Sequence, residues 1–194
     1  MNSKLVFCFS VLALIKLSLA IEKPEFELIS SLDDLTETRR YLPSKWVSTS
    51  TVALCSNLDS QRSVLFSRLF AYITGQNDKN QQIKMTAPVL NEIKQLDEQN
   101  CLFTMKFYIP KENQINTPIP SGNAVLTDMP ETTFTVTKFG GYASMNDFNQ
   151  HSNLLKQRLG SQLALYDVQT LFTASYNSPY QSNDRTNEVW LRKL

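Results

Sequence analysis

The chain has 194 residues, with 19 basic and 18 acidic side chains, a single histidine and a net charge of +1. That length is one domain's worth. The near balance of charge lacks the clustered basic excess of a nucleic-acid-binding surface, so nucleic acid is not an expected partner.

Residues 1–20 have the make-up of a signal peptide. Lys4 supplies the positive start, Leu5 to Ile15 is an uncharged, mostly apolar run, and Ser18-Leu19-Ala20 places small residues where a signal peptidase reads. The run is too short for a membrane-spanning helix, which needs about 20 apolar residues. A retained N-terminal anchor is the alternative. Losing Lys4 and Lys16 from the 19 basic side chains leaves 17 against 18 acidic ones, a net charge of −1. The expected product is a secreted protein of residues 21–194 with no further segment apolar enough for a membrane. Cys8 leaves with the leader. Cys55 and Cys101 remain, an even pair that suits an oxidising compartment.

In chain order, residues 21–24 read as a loose terminus. Phe26 to Ile29 and Leu35 to Tyr41 read as short strands around the turn at Asp33-Asp34, and Ser44 to Leu54 as a longer strand rich in β-branched residues. The first helix has Ser56 or Asn57 as its cap, Asp59 in its first turn and Gly75 at its end. Leu58, Leu65, Leu69, Tyr72 and Ile73 recur at helical spacing as an inward stripe. Phe66 and Phe70 lie beside it and widen the apolar face. After a polar loop, Ile83 to Val89 reads as a strand with Ile83, Met85, Ala87 and Val89 facing inward. Pro88 lacks an amide proton and limits it to an edge. Asn91 to Asn100 reads as a charged hairpin connection. Cys101, Phe103, Met105, Phe107 and Ile109 alternate as a half-buried strand.

Residues 110–123 contain Pro110, Pro118 and Pro120 and read as a surface crossing between two halves. Ala124 to Leu126 and Thr132 to Phe139 follow as strands, and Gly140-Gly141 as a turn. Met145, Phe148, Leu155 and Leu159 form the inner stripe of a second helix that ends at Gly160. Val168 to Ala174 and Glu188 to Arg192 are the last strands, joined by a polar loop. The order strand–helix–strand–strand therefore runs from Ser44 to Ile109 and again from Thr132 to Arg192. This predicts an α+β fold: a distorted antiparallel β-barrel of two pseudo-symmetric halves, flanked by two helices. Within such a half the first and third strands are antiparallel neighbours. The end of one, at Cys55, then meets the start of the other, at Cys101. A Cys55–Cys101 disulfide fits this order; two buried free thiols are the alternative.

Several segments carry a resemblance. They are Tyr41-Leu42-Pro43-Ser44-Lys45-Trp46-Val47-Ser48-Thr49-Ser50, Ile83-Lys84-Met85-Thr86-Ala87-Pro88-Val89, Tyr108-Ile109-Pro110, Phe139-Gly140-Gly141-Tyr142, Tyr176-Asn177-Ser178-Pro179 and Asn187-Glu188-Val189-Trp190-Leu191. In content, order and spacing the chain resembles the SOUL / heme-binding protein family from about Phe26 to Leu194, and within it the heme-binding protein 2 branch. The resemblance implies a two-helix distorted barrel similar to the effector-binding domains of bacterial multidrug regulators. It also implies noncovalent binding of heme or related tetrapyrroles without catalysis, in a shallow apolar groove beside the first helix, with basic side chains near the propionates. In some relatives a histidine just before the Tyr-x-Pro-x-Lys-Trp segment is the proposed iron ligand. Here that position is Arg40, which keeps its proton and cannot ligate iron. Arg40 therefore motivates an alternative: a protein-interaction module of the same fold without heme.

The candidate ligand-binding residues are Phe66 and Phe70, for stacking on a flat macrocycle, and Arg62 and Arg68, for its carboxylates. The bland readings are core packing for the rings and a solvated helix face for the arginines. His151 falls on the flank of the second helix's stripe and is a weak candidate iron ligand; one histidine cannot build a structural zinc site. Met85, Met105, Trp46 and Trp190 read as core, and Lys45 and Lys84 as surface charges. Motifs of hydrolases, metalloproteases, phosphate loops and dinucleotide folds are missing. With Ile83 to Val89 and Cys101 to Ile109 free of acids, no inward carboxylate is expected on the core strands.

Overall fold

The computed structural model describes residues 21–194; the predicted signal peptide lies outside the described residues. Nine strands form one antiparallel sheet: β1 (Phe26–Ser31), β2 (Thr36–Tyr41), β3 (Ser44–Leu54), β4 (Val89–Gln95), β5 (Asn100–Tyr108), β6 (Val125–Met129), β7 (Thr132–Phe139), β8 (Thr170–Ser175) and β9 (Asn187–Arg192). Helix α1 spans Leu58–Ile73 and helix α2 spans Met145–Leu159. The spatial order of strands is β1-β2-β7-β9-β8-β4-β5-β3-β6. The predicted halves are visible in it. β3, β4 and β5 lie in the order β3-β5-β4, and β7, β8 and β9 in the order β7-β9-β8. The halves join through the antiparallel pair β4–β8. The sheet curls but keeps two open edges, β1 and β6, so the barrel is distorted and open.

The sheet buries both faces because its strands alternate. One face gathers Trp46, Leu90, Phe134, Val136, Phe172 and Trp190 into the inner core. The other face carries the helices. Leu65, Leu69 and Tyr72 of α1 pack on Phe103, Met105 and Phe107 of β5. Phe148, Leu155 and Leu159 of α2 pack on Val189 and Leu191 of β9. The buried residues of α1 are the five of the predicted stripe. Gly75, at φ +118°, ends the run in a conformation open to glycine. α2 starts on a capping box: Ser144 Oγ accepts from the Asp147 amide, and the Asp147 carboxylate accepts from the Ser144 amide at 2.8 Å.

The Cys55–Cys101 disulfide is present, with the two Cα atoms 5.1 Å apart. It follows from the register that pairs Ala53 of β3 with Cys101 of β5.

Three stretches differ from the sequence reading. Ile83 to Pro88 is not a strand, and the strand begins at Val89 and runs through the residues read as a hairpin connection. The backbone of the earlier stretch is satisfied elsewhere: the Ile83 amide donates to the Ile73 carbonyl and the Ala87 amide to the Glu22 carbonyl. The charges of Glu92 and Lys94 disguised β4. Glu92 is met by Lys106 of the neighbouring β5 at 2.6 Å, so a charged residue fits a central strand. Residues 21–24 are likewise not loose. Pro24 is buried, and Glu22 Oε1 accepts from the Lys111 amide at 2.7 Å.

Candidate functional site

The outer face of α1 does not meet the sheet. Phe66 leans inward, its ring 5.3 Å from Phe107 in an edge-on contact, and Phe70 stacks on Phe66 at 5.8 Å with 17° between the planes. Phe70 is 47% exposed. The pair is thus an aromatic step from the core to the surface. Opposite α1 stands the β8–β9 loop, residues 176–186, with the β7–α2 turn at one end. Between them runs a groove with two lobes that share Phe66, Val89, Ser175, Asn177 and Pro179.

The first lobe, of about 430 Å³, adds Arg62, Ser67, Tyr142, Arg185 and Asn187. Arg62 donates to the Ala143 carbonyl at 3.2 Å. Arg185 lies over the Tyr142 ring, 4.3 Å from its centre, and its Nη1 donates to the Ser178 and Gln181 carbonyls, both at 2.7 Å. The second lobe, of about 420 Å³, adds Ile21, Phe70, Met85, Ala87, Tyr176 and Tyr180. Its lining has no charged side chain.

Of the sequence candidates, Arg62, Phe66 and Phe70 come together on this groove. Arg68 does not. It points to the other flank of α1, where it lines a small polar pocket with Tyr72, Gln76 and Asn123 and reaches the Ser50 carbonyl at 3.4 Å. A hundred degrees per residue separates it from the Phe66–Phe70 row. His151 is also elsewhere: it stacks flat on Phe139, centroids 3.9 Å apart, and lines neither lobe. Arg40 lies on β2, between β1 and β7, and is paired with Glu27 of β1. It too is outside the groove, so its presence in place of histidine leaves the groove unchanged. Met85 and Met105 each line one lobe.

Arg185, Ser175 and Tyr142 were not singled out by the sequence, because isolated polar residues in loops and at a strand end have no periodicity. The available signal was motif position. Phe139 to Tyr142 and Tyr176 to Pro179 were part of the resemblance, and each contributes a wall of the groove.

One expectation is overturned: an inward carboxylate exists. Glu188 of β9 is 2% exposed. It accepts from Arg39 Nη1 and Nη2 at 3.1 and 3.0 Å, from the Tyr176 hydroxyl at 2.6 Å and from Trp190 Nε1 at 2.7 Å. Burial first, and then the carboxylate beside it, hold the Tyr176 hydroxyl well above its ordinary pKa, so it stays a donor. Both carboxylate oxygens of Glu188 are hydrogen-bonded, Oε2 by three donors and Oε1 by one, and the side chain lines neither lobe of the groove. The arrangement is a satisfied structural pair and not an acid or base facing a cavity.

A profile described as SOUL heme-binding protein matches residues 21–192. This chain belongs to the SOUL heme-binding protein family. Heme-binding protein 2 of Mus musculus is 34% identical over 178 residues, spanning 89% of this chain and 86% of that protein. Heme-binding protein 1 of Xenopus tropicalis is 31% identical over 160 residues, spanning 81% and 83%. Among solved structures, the EcmrR C-terminal domain superposes with a TM-score of 0.54 at 12% identity, covering 82% of this chain and 98% of that one. That last likeness is one of fold. The SOUL architecture therefore spans the described chain, and the groove is a feature of one side of it.

Proposed function

We propose that this chain binds heme or a related tetrapyrrole noncovalently and without catalysis, in the groove between α1 and the β8–β9 loop. The observation that carries the reading is the half-exposed Phe66–Phe70 stack beside Arg62 and Arg185. A flat macrocycle gains burial and stacking on the rings, and its propionates accept charge-assisted hydrogen bonds from guanidinium groups. Membership of a family whose relatives are named heme-binding proteins supports the same ligand. No histidine lines the groove, so affinity rests on the macrocycle and its carboxylates. Titration of the purified protein with hemin should shift the Soret band and quench Trp46 and Trp190 fluorescence, and iron-free protoporphyrin should bind within a few-fold of hemin. An unmoved Soret band with unquenched tryptophans rejects the proposal.

The reading includes secretion. The make-up of residues 1–20 and a disulfide that suits an oxidising compartment support it. N-terminal sequencing of protein released by expressing cells should begin at Ile21; a cell-retained chain that starts at Met1 contradicts it.

A further inference from the structure

Ile21 becomes the first residue when the leader is cut after Ala20, and the chain directly behind it is fastened to the body. The Ala87 amide donates to the Glu22 carbonyl at 2.9 Å, and the Leu42 amide to the Glu25 carbonyl at 3.1 Å. Glu22 Oε1 accepts from the Lys111 amide at 2.7 Å. Pro24 is buried, and the Lys23 ammonium lies over the Tyr176 ring, 5.1 Å from its centre. Ile21 itself is 44% exposed and lines the second lobe with Phe66, Phe70 and Met85. Cleavage therefore leaves a primary amine on a residue that walls this lobe.

The other lining residues are poor iron ligands. Neither lobe has a histidine or a cysteine among its described lining residues, and guanidinium groups keep their protons. The Tyr176 hydroxyl is taken by Glu188 at 2.6 Å, and the Tyr142 hydroxyl donates to the Gln181 carbonyl at 3.3 Å. Met105 is 2% exposed, and Met85 offers a soft thioether, to which iron prefers a nitrogen donor. An α-amino group loses its proton at about pH 8, well below a lysine.

We infer that the α-amino nitrogen of Ile21 is the axial iron ligand when this protein holds heme. This rests on the proposed tetrapyrrole binding and on the proposed release of residues 1–20, and adds to them the group that meets the iron. The ammonium gives its proton to solvent. The nitrogen lone pair then takes the axial position that water fills in aqueous hemin, and that water leaves. Only about a tenth of the amine is free at pH 7, so hemin and protoporphyrin stay within a few-fold there and separate as pH rises.

The test uses the secreted protein, beginning at Ile21 and labelled with nitrogen-15 isoleucine, titrated with hemin and with iron-free protoporphyrin at pH 7 and pH 9. Pulsed electron paramagnetic resonance of the ferric complex at pH 9 should show a nitrogen-15 hyperfine coupling, separate from the nitrogen-14 of the porphyrin. The affinity of hemin relative to protoporphyrin should rise about tenfold from pH 7 to pH 9, as the free amine goes from about a tenth to about nine-tenths. Acetylating the α-amine should abolish the coupling and flatten this rise, with protoporphyrin binding kept within a few-fold, which shows that the groove is still formed. Bound hemin without nitrogen-15 coupling at pH 9, or a rise that survives acetylation, overturns the ligation while keeping tetrapyrrole binding. Binding of neither porphyrin overturns the tetrapyrrole reading, and the ligation with it. A secreted chain that starts at another residue overturns the release at Ala20, and the ligation with it.

Discussion

Phe70 does two things that are usually separate: it belongs to the apolar face of a helix and it stays half in water. Its neighbour Phe66 anchors it to the core through Phe107, so the exposed ring keeps a fixed plane. Phe70 is 47% exposed and stacks on Phe66, so its removal should cost about 1 kcal/mol of stability, the size of an aromatic pair. Phe70→Asp should weaken hemin binding at least tenfold while the protein stays folded with a slightly lower thermal midpoint; unchanged affinity would remove Phe70 from the site. Glu188 is the opposite case. Glu188→Gln keeps the shape but leaves Arg39 buried with only Glu37, 2.8 Å away, as a counter-charge. The expected loss is about 3 kcal/mol by urea denaturation, the lower end for breaking a buried pair. A loss under 1 kcal/mol would mean that the pair is not what closes the inner core.

At the scale of elements, the disulfide fixes the end of β3 to the start of β5 and so sets where α1 leaves the sheet. Cys55 and Cys101 are 46 residues apart, which on the chain-entropy model gives about 4 kcal/mol of stabilisation. Cys55→Ser with Cys101→Ser should lower stability by an amount of this order in urea, and dithiothreitol should lower the natural protein's to match; a reductant without effect contradicts it. Most elements were legible in the sequence for plain reasons. β5 alternates cleanly, β3 and β7 are rich in β-branched residues, and α1 has a buried stripe at helical spacing. β4 was not, because its Glu92 is answered by Lys106 of another strand, and a pairing across strands leaves no trace in local pattern. Ile83 to Pro88 misled for the converse reason. It alternates as a strand does, and Ile83 and Ala87 are buried as predicted, but its amides find partners outside any ladder.

For the molecule as a whole, the repeat of strand–helix–strand–strand produces two similar halves whose helices meet different surroundings. α2 stacks His151 on Phe139 and is closed by its own half. α1 leaves its outer face to a loop from the other half, and the groove is the space between them. Hence half of the candidate site was readable and half was not. Arg62, Phe66 and Phe70 share a helix face and announce themselves by spacing. Arg185 and Tyr142 arrive from distant loops and Ser175 from the end of β8, and only tertiary structure unites them. Arg68 follows helix arithmetic: six residues from Arg62, about 120° round the helix, it sits on the other flank, beside Tyr72 and Asn123. The central claim is that the space between α1 and the β8–β9 loop is where a tetrapyrrole sits. Its most direct test is an amide chemical-shift map of the protein with and without iron-free protoporphyrin. The account predicts shifts concentrated at residues 62–70, 142–143 and 175–187, with the β1–β2 hairpin and the His151 face of α2 silent; shifts centred on Arg40 or His151, with the groove unmoved, would contradict it.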